Sequence, residues 1–213
     1  MTPMTKTPIT AIVLAAGLSS RMGRPKPLLP FGERLVIERL LTALAECDVA
    51  ETLVVVGHAH SLVEQRLHGW PNTRAVFNPD YATGEMLSSL QTGLRAVSPS
   101  SEAALIVLVD QPRLEPGVVA ALVEAYDAGR GGVVVPSYQM RRGHPMLIDR
   151  RHWPTILGLV EGQSLRDFMR AAAASIHHVT VDTPSILRDM DTPTDYEREL
   201  ADYLAGQPLK ETA

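Results

Sequence analysis

Cysteine is almost missing from this sequence. Cys47 stands alone among 213 residues, which excludes an intramolecular disulfide and a cysteine-based metal cluster. It falls beside Leu44 in a helical pattern, where a thiol serves better as a small buried hydrophobe than as a reactive group. Long apolar runs are lacking as well. None reaches the roughly 18 residues of a membrane span, and the opening MTPMTKTPIT has no apolar stretch of the secretory kind. Cytoplasm is the expected setting, with no membrane partner. Excess positive charge is lacking too. A balance of 20 Lys+Arg against 24 Asp+Glu leaves a net charge of −4, which speaks against a nucleic-acid binder with a basic face. It leaves room for a local cationic loop around a polyphosphate. Two familiar phosphate motifs are absent. Position 22 is Met and Lys26 comes three residues after Gly23, so there is no P-loop. Ser19 stands where a dinucleotide fingerprint needs glycine, and the acidic ribose contact about 20 residues onward is missing. Both absences count against an NAD(P)-dependent oxidoreductase.

What is present is an ordinary globular composition, 45% apolar and 21% charged. The length suits one domain over residues 9–205, with a loose leader at 1–8 and a loose tail at 206–213. Residues 10–14 (TAIVL), 52–56 (TLVVV), 74–78, 103–109 (AALIVLV) and 133–135 read as strands. Between them, residues 35–45, 87–97 and 118–126 carry apolar positions at helical spacing, and 60–67 reads as a polar helix, the second of four helical stretches. Strand and helix alternate, which implies a mostly parallel sheet with right-handed crossovers. The run 103–109 is apolar throughout, as befits a central strand buried on both faces. The pattern breaks at Ser137, where 137–145 separates two strand-like pieces as a hairpin would. Two short helical faces follow, Trp153, Ile156, Leu157 and then Leu165, Phe168, Met169, Ala172, both suited to packing or to a flap. Residues 176–181 alternate as a last strand, which puts His177 and His178 on opposite faces. Thr192, Pro193 and Asp195 make a helix start. His58 and His60 form an H-x-H without a third ligand at a recognisable spacing, so a solvated loop is expected there.

The stretch 14–30, LAAGLSSRMGRPKPLLP, organises the rest. A loop of small residues leaving a buried strand exposes backbone N–H groups that can wrap a phosphate chain. Arg21 and Lys26 add fixed charge there. Asp110 follows the most apolar strand at the edge where open α/β sheets bind ligands. It reads either as an oxygen ligand for a cation shared with phosphates or as an Asx-turn. Ser88 and Ser89 at the start of the third helical stretch read either as caps or as ligand contacts. Asp189 and Asp191 share one face of an extended segment, where their mutual repulsion favours a nearby cation.

In AAGLSSRMGRPKPLLP, the DQP after 103–109, and DMDTPTDY near the end, the sequence resembles the molybdenum-cofactor nucleotidyltransferases (MobA-like NTP transferases), nearer the cytidylyl than the guanylyl branch. The resemblance runs from Ile9 to about Leu204. It implies a three-layer, Rossmann-like α/β fold with a mostly parallel sheet and a small hairpin and helical insertion over the acceptor site. It further implies transfer of CMP from CTP to molybdopterin with Mg²⁺. Arg21, Lys26 and Asp110 would be catalytic. Ala15, Ala16, Gly17, Ser19, Ser20, Arg21, Gly23, Lys26, Gly84, Ser88, Ser89 and Asp110 would hold the nucleotide. Gln111, Arg142 and His144 would face the acceptor, although Arg142 and His144 also read as a solvated turn. Asp110 and Asp191 would hold the metal, with Asp189 in support. Thr194 departs from the family's usual Glu, at a helix position of little expected consequence. Relatives with the same loop act on phosphorylated sugars, polyols or sugar acids, so the acceptor stays open. A non-catalytic nucleotide-binding chaperone of a molybdoenzyme stays open too.

Overall fold

A computed structural model of the chain describes residues 7–206. The expected leader and tail lie outside the described residues, apart from Thr7, Pro8 and Gly206.

The apolar runs become strands because their β-branched side chains suit a pleated surface buried on both sides. In chain order the strands are β1 (Ile9–Ala15), β2 (Pro30–Phe31), β3 (Arg34–Leu35), β4 (Glu51–Val56), β5 (Thr73–Phe77), β6 (Ala103–Leu108), β7 (Val133–Tyr138), β8 (Arg141–Arg142), β9 (Met146–Asp149) and β10 (Ile176–Thr180). The α-helices are α1 (Val36–Ala45), α2 (His60–Leu67), α3 (Glu85–Ala96), α4 (Pro116–Asp127), α5 (Trp153–Leu157), α6 (Leu165–Ala171) and α7 (Pro193–Ala205). All strands but the small β2–β3 hairpin join one sheet in the order β10-β7-β9-β6-β1-β4-β5, with β8 paired to β7. Pairings β1–β4, β1–β6, β4–β5 and β7–β10 are parallel. The strand β9 runs antiparallel between β6 and β7. It fills the central position that the sequence pattern marks only as a strand-like piece after the hairpin.

Alternate residues of β1 face two cores. Ala11, Val13 and Ala15 pack with Ile37, Leu40 and Leu44 of α1 and with Val119 and Leu122 of α4. Ile12 and Leu14 pack with Leu90 and Leu94 of α3 and with Trp153, Ile156, Leu165 and Phe168. The sheet is therefore the middle of three layers. Helices α5 and α6 are core packing, as their apolar spacing implies. They share the layer of α3, and none of their residues lines the cleft described below. The hairpin turn uses Gln139 at φ 48° and Met140 at φ 65°. Both central residues are left-handed, as a two-residue turn between twisted strands requires.

Chain direction sets the site. From β1 the chain steps outward to β4 and β5, then crosses back to β6 on the other side of β1. The carboxyl ends of β1 and β6 therefore flank the point where strand order reverses, and such points open a crevice in α/β sheets.

Candidate active site

An open cleft of about 400 Å³ lies over those two strand ends. One wall is the loop after β1. Ser19 there adopts φ 53°, its carbonyl accepts from the N–H groups of Met22 and Gly23 at 3.0 Å, and its Oγ accepts from Lys26 N at 3.1 Å. Met22 is buried in the α1 core. The loop is thus folded on itself and pinned by one apolar side chain, while Gly17, Ser20 and Arg21 stay exposed to the cleft.

Lys26 Nζ stands between two carboxylates, 3.1 Å from Asp110 Oδ2 and 2.8 Å from Asp191 Oδ1. Arg21 reaches Asp191 Oδ2 at 3.0 Å. The hydrogen bond from Lys26, with the Lys26 and Arg21 charges, holds the Asp191 carboxyl below the usual carboxylate range. Asp189 behaves oppositely. Burial, then the Asp191 and Asp110 charges, pushes its carboxyl above that range. Oδ1 of Asp110 is buried and has no hydrogen-bond partner among the described residues. Two carboxylates with one buried oxygen left over fit a hard cation that takes its other ligands from phosphate oxygens. Among the described residues no three of His, Cys, Asp and Glu form a metal-ligand cluster by themselves.

The opposite wall is the start of α3. Ser89 lines the cleft, and the fully buried Asn78 organises the helix start. Asn78 Nδ2 donates to Ser88 Oγ at 2.9 Å and to Ser89 Oγ at 3.1 Å. Ser88 does not line the cleft, and its hydroxyl donates to the Glu85 carbonyl. A Cβ on Gly84 would lie 2.3 Å from Ser88 Oγ. The close approach that Gly84 permits is therefore to Ser88. Tyr81, Glu85, Met86 and Leu18 also line the cleft, and the sequence motifs do not single out Tyr81, Met86 or Leu18. Gly57 makes room for Tyr81, since a Cβ there would lie 2.5 Å from Tyr81 Cβ and 2.4 Å from the Ala16 carbonyl. An aromatic just past an Asn-Pro turn is the signal that could have found Tyr81.

Gln111, Arg142 and His144 fall elsewhere. Gln111 and His144 line a second, very small cavity with Pro145 and Ile186. Arg142 is exposed on β8. His144 is mostly buried beside Asp110, and burial pushes its ring down to about 4. It is therefore neutral at pH 7 and brings no positive charge to an anionic acceptor. Gly23 and Asp189 are not part of the cleft wall either. Of the two histidines in H-x-H, His58 packs against Tyr81 and His60 against Phe77. Cys47 donates to the Ala43 carbonyl, and burial, with Glu46, pushes its thiol up to about 11, as befits a structural thiol.

Residues 11–179 match the family model described as MobA-like NTP transferase domain. The chain is 27% identical over 190 residues to the molybdenum cofactor cytidylyltransferase of Escherichia coli K12, covering 88% of this chain and 93% of that one. It is 32% identical over 191 residues to the nicotine blue oxidoreductase of Paenarthrobacter nicotinovorans, covering 86% and 92%. Among solved structures it resembles the manganese complex of Rv0371c from Mycobacterium tuberculosis H37Rv, with a TM-score of 0.75, 26% identity, and coverage of 92% and 99%.

Proposed function

The chain belongs to the family of MobA-like NTP transferase domains, and from that premise we propose that this nucleotidyltransferase moves CMP from CTP to the phosphate of molybdopterin. The observation that carries the reading is Lys26, suspended between Asp110 and Asp191 beside a loop whose Gly17, Ser20 and Arg21 are exposed to the cleft. The triphosphate lies along the loop after β1, where backbone N–H groups between Gly17 and Arg21 and the Arg21 and Lys26 cations meet its oxygens. Ser89 reads the nucleoside from the α3 wall. Mg²⁺ would be held by Asp110 and Asp191, with Asp189 near them, and supplies charge neutralisation to the phosphates. Lys26 then exchanges its carboxylate partners for phosphate oxygens.

An oxygen of the acceptor phosphate forms a bond to the α-phosphorus. The bond between that phosphorus and the bridging oxygen breaks, and pyrophosphate leaves with the electron pair. A phosphate monoester is already an anion at neutral pH, so no general base is needed. Alignment and charge neutralisation do the work. Gln111 and Arg142 lie on the acceptor side of Asp110 in this reading. The product dinucleotide passes to a cytoplasmic molybdoenzyme.

The test is pyrophosphate release with Mg²⁺ and each nucleoside triphosphate, with and without molybdopterin. Release with CTP only when molybdopterin is present supports the proposal. Release with a sugar or polyol phosphate instead keeps the reaction and discards the acceptor. A second reading, redox chemistry, is favoured by the name of the relative from Paenarthrobacter nicotinovorans. It predicts oxidation of NAD(P)H by an electron acceptor, and silence in that assay removes it.

A further inference from the structure

The least expected charge outside the cleft is Glu199. It lies on α7 and is fully buried, at 0% exposure. Its Oε1 accepts from Arg188 Nε at 2.7 Å, and Arg198 Nε stands 3.6 Å from the same oxygen. Its Oε2 has no partner among the described residues. The other edge of the Arg188 guanidinium binds Asp202, one turn further along α7. A buried carboxylate with an unsatisfied oxygen is costly, and an apolar pair of similar volume would usually serve stability as well or better. Stability alone does not account for this arrangement.

Its neighbour in sequence does. Arg188 opens the stretch 188–191, which carries Asp191 of the cleft wall. Alternate residues of that stretch turn to opposite sides. Arg188 turns to α7, and Met190 is fully buried, its N–H donating to the Asp110 carbonyl at 2.9 Å. Asp191 turns the other way, onto Lys26 and Arg21. Arg188 is also the cation nearest in sequence to Asp189 and Asp191. Tied to Glu199 and Asp202, it is kept from neutralising them.

The geometry points to Glu199 as a positioning residue: through Arg188 it fixes the 188–191 segment so that Asp191, and not Arg188, faces the cleft. The catalytic consequence rests on the function proposed above; the tether does not.

Glu199→Gln in the full chain tests it, with Arg188→Lys as the conservative companion. Three readouts apply: amide exchange at Met190, Mn²⁺ affinity, and kcat against KM for CTP. Glu199→Gln is expected to speed Met190 exchange at least about tenfold while 103–108 keeps its protection. Mn²⁺ affinity falls roughly tenfold to a hundredfold, and kcat falls in step while KM for CTP stays within about twofold. Arg188→Lys, which keeps the charge but not the two-edged contact, is expected to show a smaller loss in each. A folded Glu199→Gln protein with normal Met190 exchange and normal Mn²⁺ affinity overturns the proposal. So does a loss of protection spread evenly over β1 and β6, which would mark plain destabilisation. Should Glu199→Gln not fold, Asp202→Asn at the exposed edge of the same guanidinium is expected to move all three readouts in the same direction by about two- to fivefold; no movement overturns the tether. A wild-type protein that turns over no triphosphate removes the proposed function, while Met190 exchange still decides the tether.

Discussion

Two acids reach the cleft by different routes. Asp110 is delivered by β6, a strand with sheet neighbours on both sides, and the turn after it is closed by Gln111 N donating to the Leu108 carbonyl. Asp191 sits in a stretch that belongs to no sheet. Its place depends on Met190, on the Thr192 cap whose Oγ1 accepts from Asp195 N, and on the Arg188 tether to α7. One half of the site is built by a local run of sequence, the other by contacts distant from it. The first should bear chemistry that tolerates no change; the second should be adjustable.

The sharpest test of that difference is Asp110→Asn. The amide keeps the shape and removes the charge, and it can donate only from an edge whose Oδ1 had no partner. A loss in kcat of about 10²–10³ is expected, with the thermal midpoint near that of the wild type. Steady-state pyrophosphate release and a melting curve check both. Asp191→Asn comes next, with a loss of about 10–100-fold, because Asp110 still pairs with Lys26. Equal losses at the two positions would erase the distinction between fixed and adjustable acids. Lys26→Met should act differently again. Removing the ammonium takes away the hydrogen bond and charge that hold the Asp191 carboxyl below the usual range, so that carboxyl titrates higher and the activity profile moves to higher pH. KM for CTP is expected to rise about tenfold, one phosphate contact's worth. An unchanged KM would place the triphosphate elsewhere.

The same difference explains what the sequence discloses. Strands β1, β4 and β6 are legible because each contains a continuous apolar run, rich in β-branched residues in β1 and β4, and Asp110 is legible because it follows one of them. Gly17, Ser19, Arg21 and Lys26 are legible from spacing within ten residues. Asn78 was readable as turn chemistry but not as the residue that holds Ser88 and Ser89. Glu199 was not readable at all. In YEREL it looks like an exposed helix charge, yet it is fully buried with its carboxylate on Arg188. The burial of His144 was hidden for a related reason. Arg-Gly-His reads as a solvated turn or an acceptor contact, and Gly143 lets the chain press so close to Ile186 that a Cβ would lie 2.2 Å from its carbonyl oxygen. His144 N then donates to that same carbonyl at 3.1 Å, and the ring is carried inside.

That buried ring gives the smallest effect, and one confined to acid. In the unfolded chain the His144 imidazole titrates at its ordinary 6.5, and in the folded protein burial pushes it down to about 4. Above pH 6.5 the ring is neutral in both states and contributes no pH dependence. Between those two values the unfolded chain takes up a proton that the folded protein refuses, so stability falls as the pH drops. Below about 4 both states are protonated and the loss is complete, at most about 3 kcal/mol. Asp189, whose carboxyl is raised, works in the opposite sense by favouring protonation in the folded state. The comparison must therefore be made between two proteins that both keep Asp189. His144→Phe fills similar space without a titrating group and without the unpartnered Nε2. Denaturant melts at pH 7 should nearly coincide for the two proteins, and at pH 4.5 the variant should be the more stable by roughly 1–3 kcal/mol. Parallel pH curves would mean that water reaches the ring, and that His144 belongs to the open side of the cleft after all.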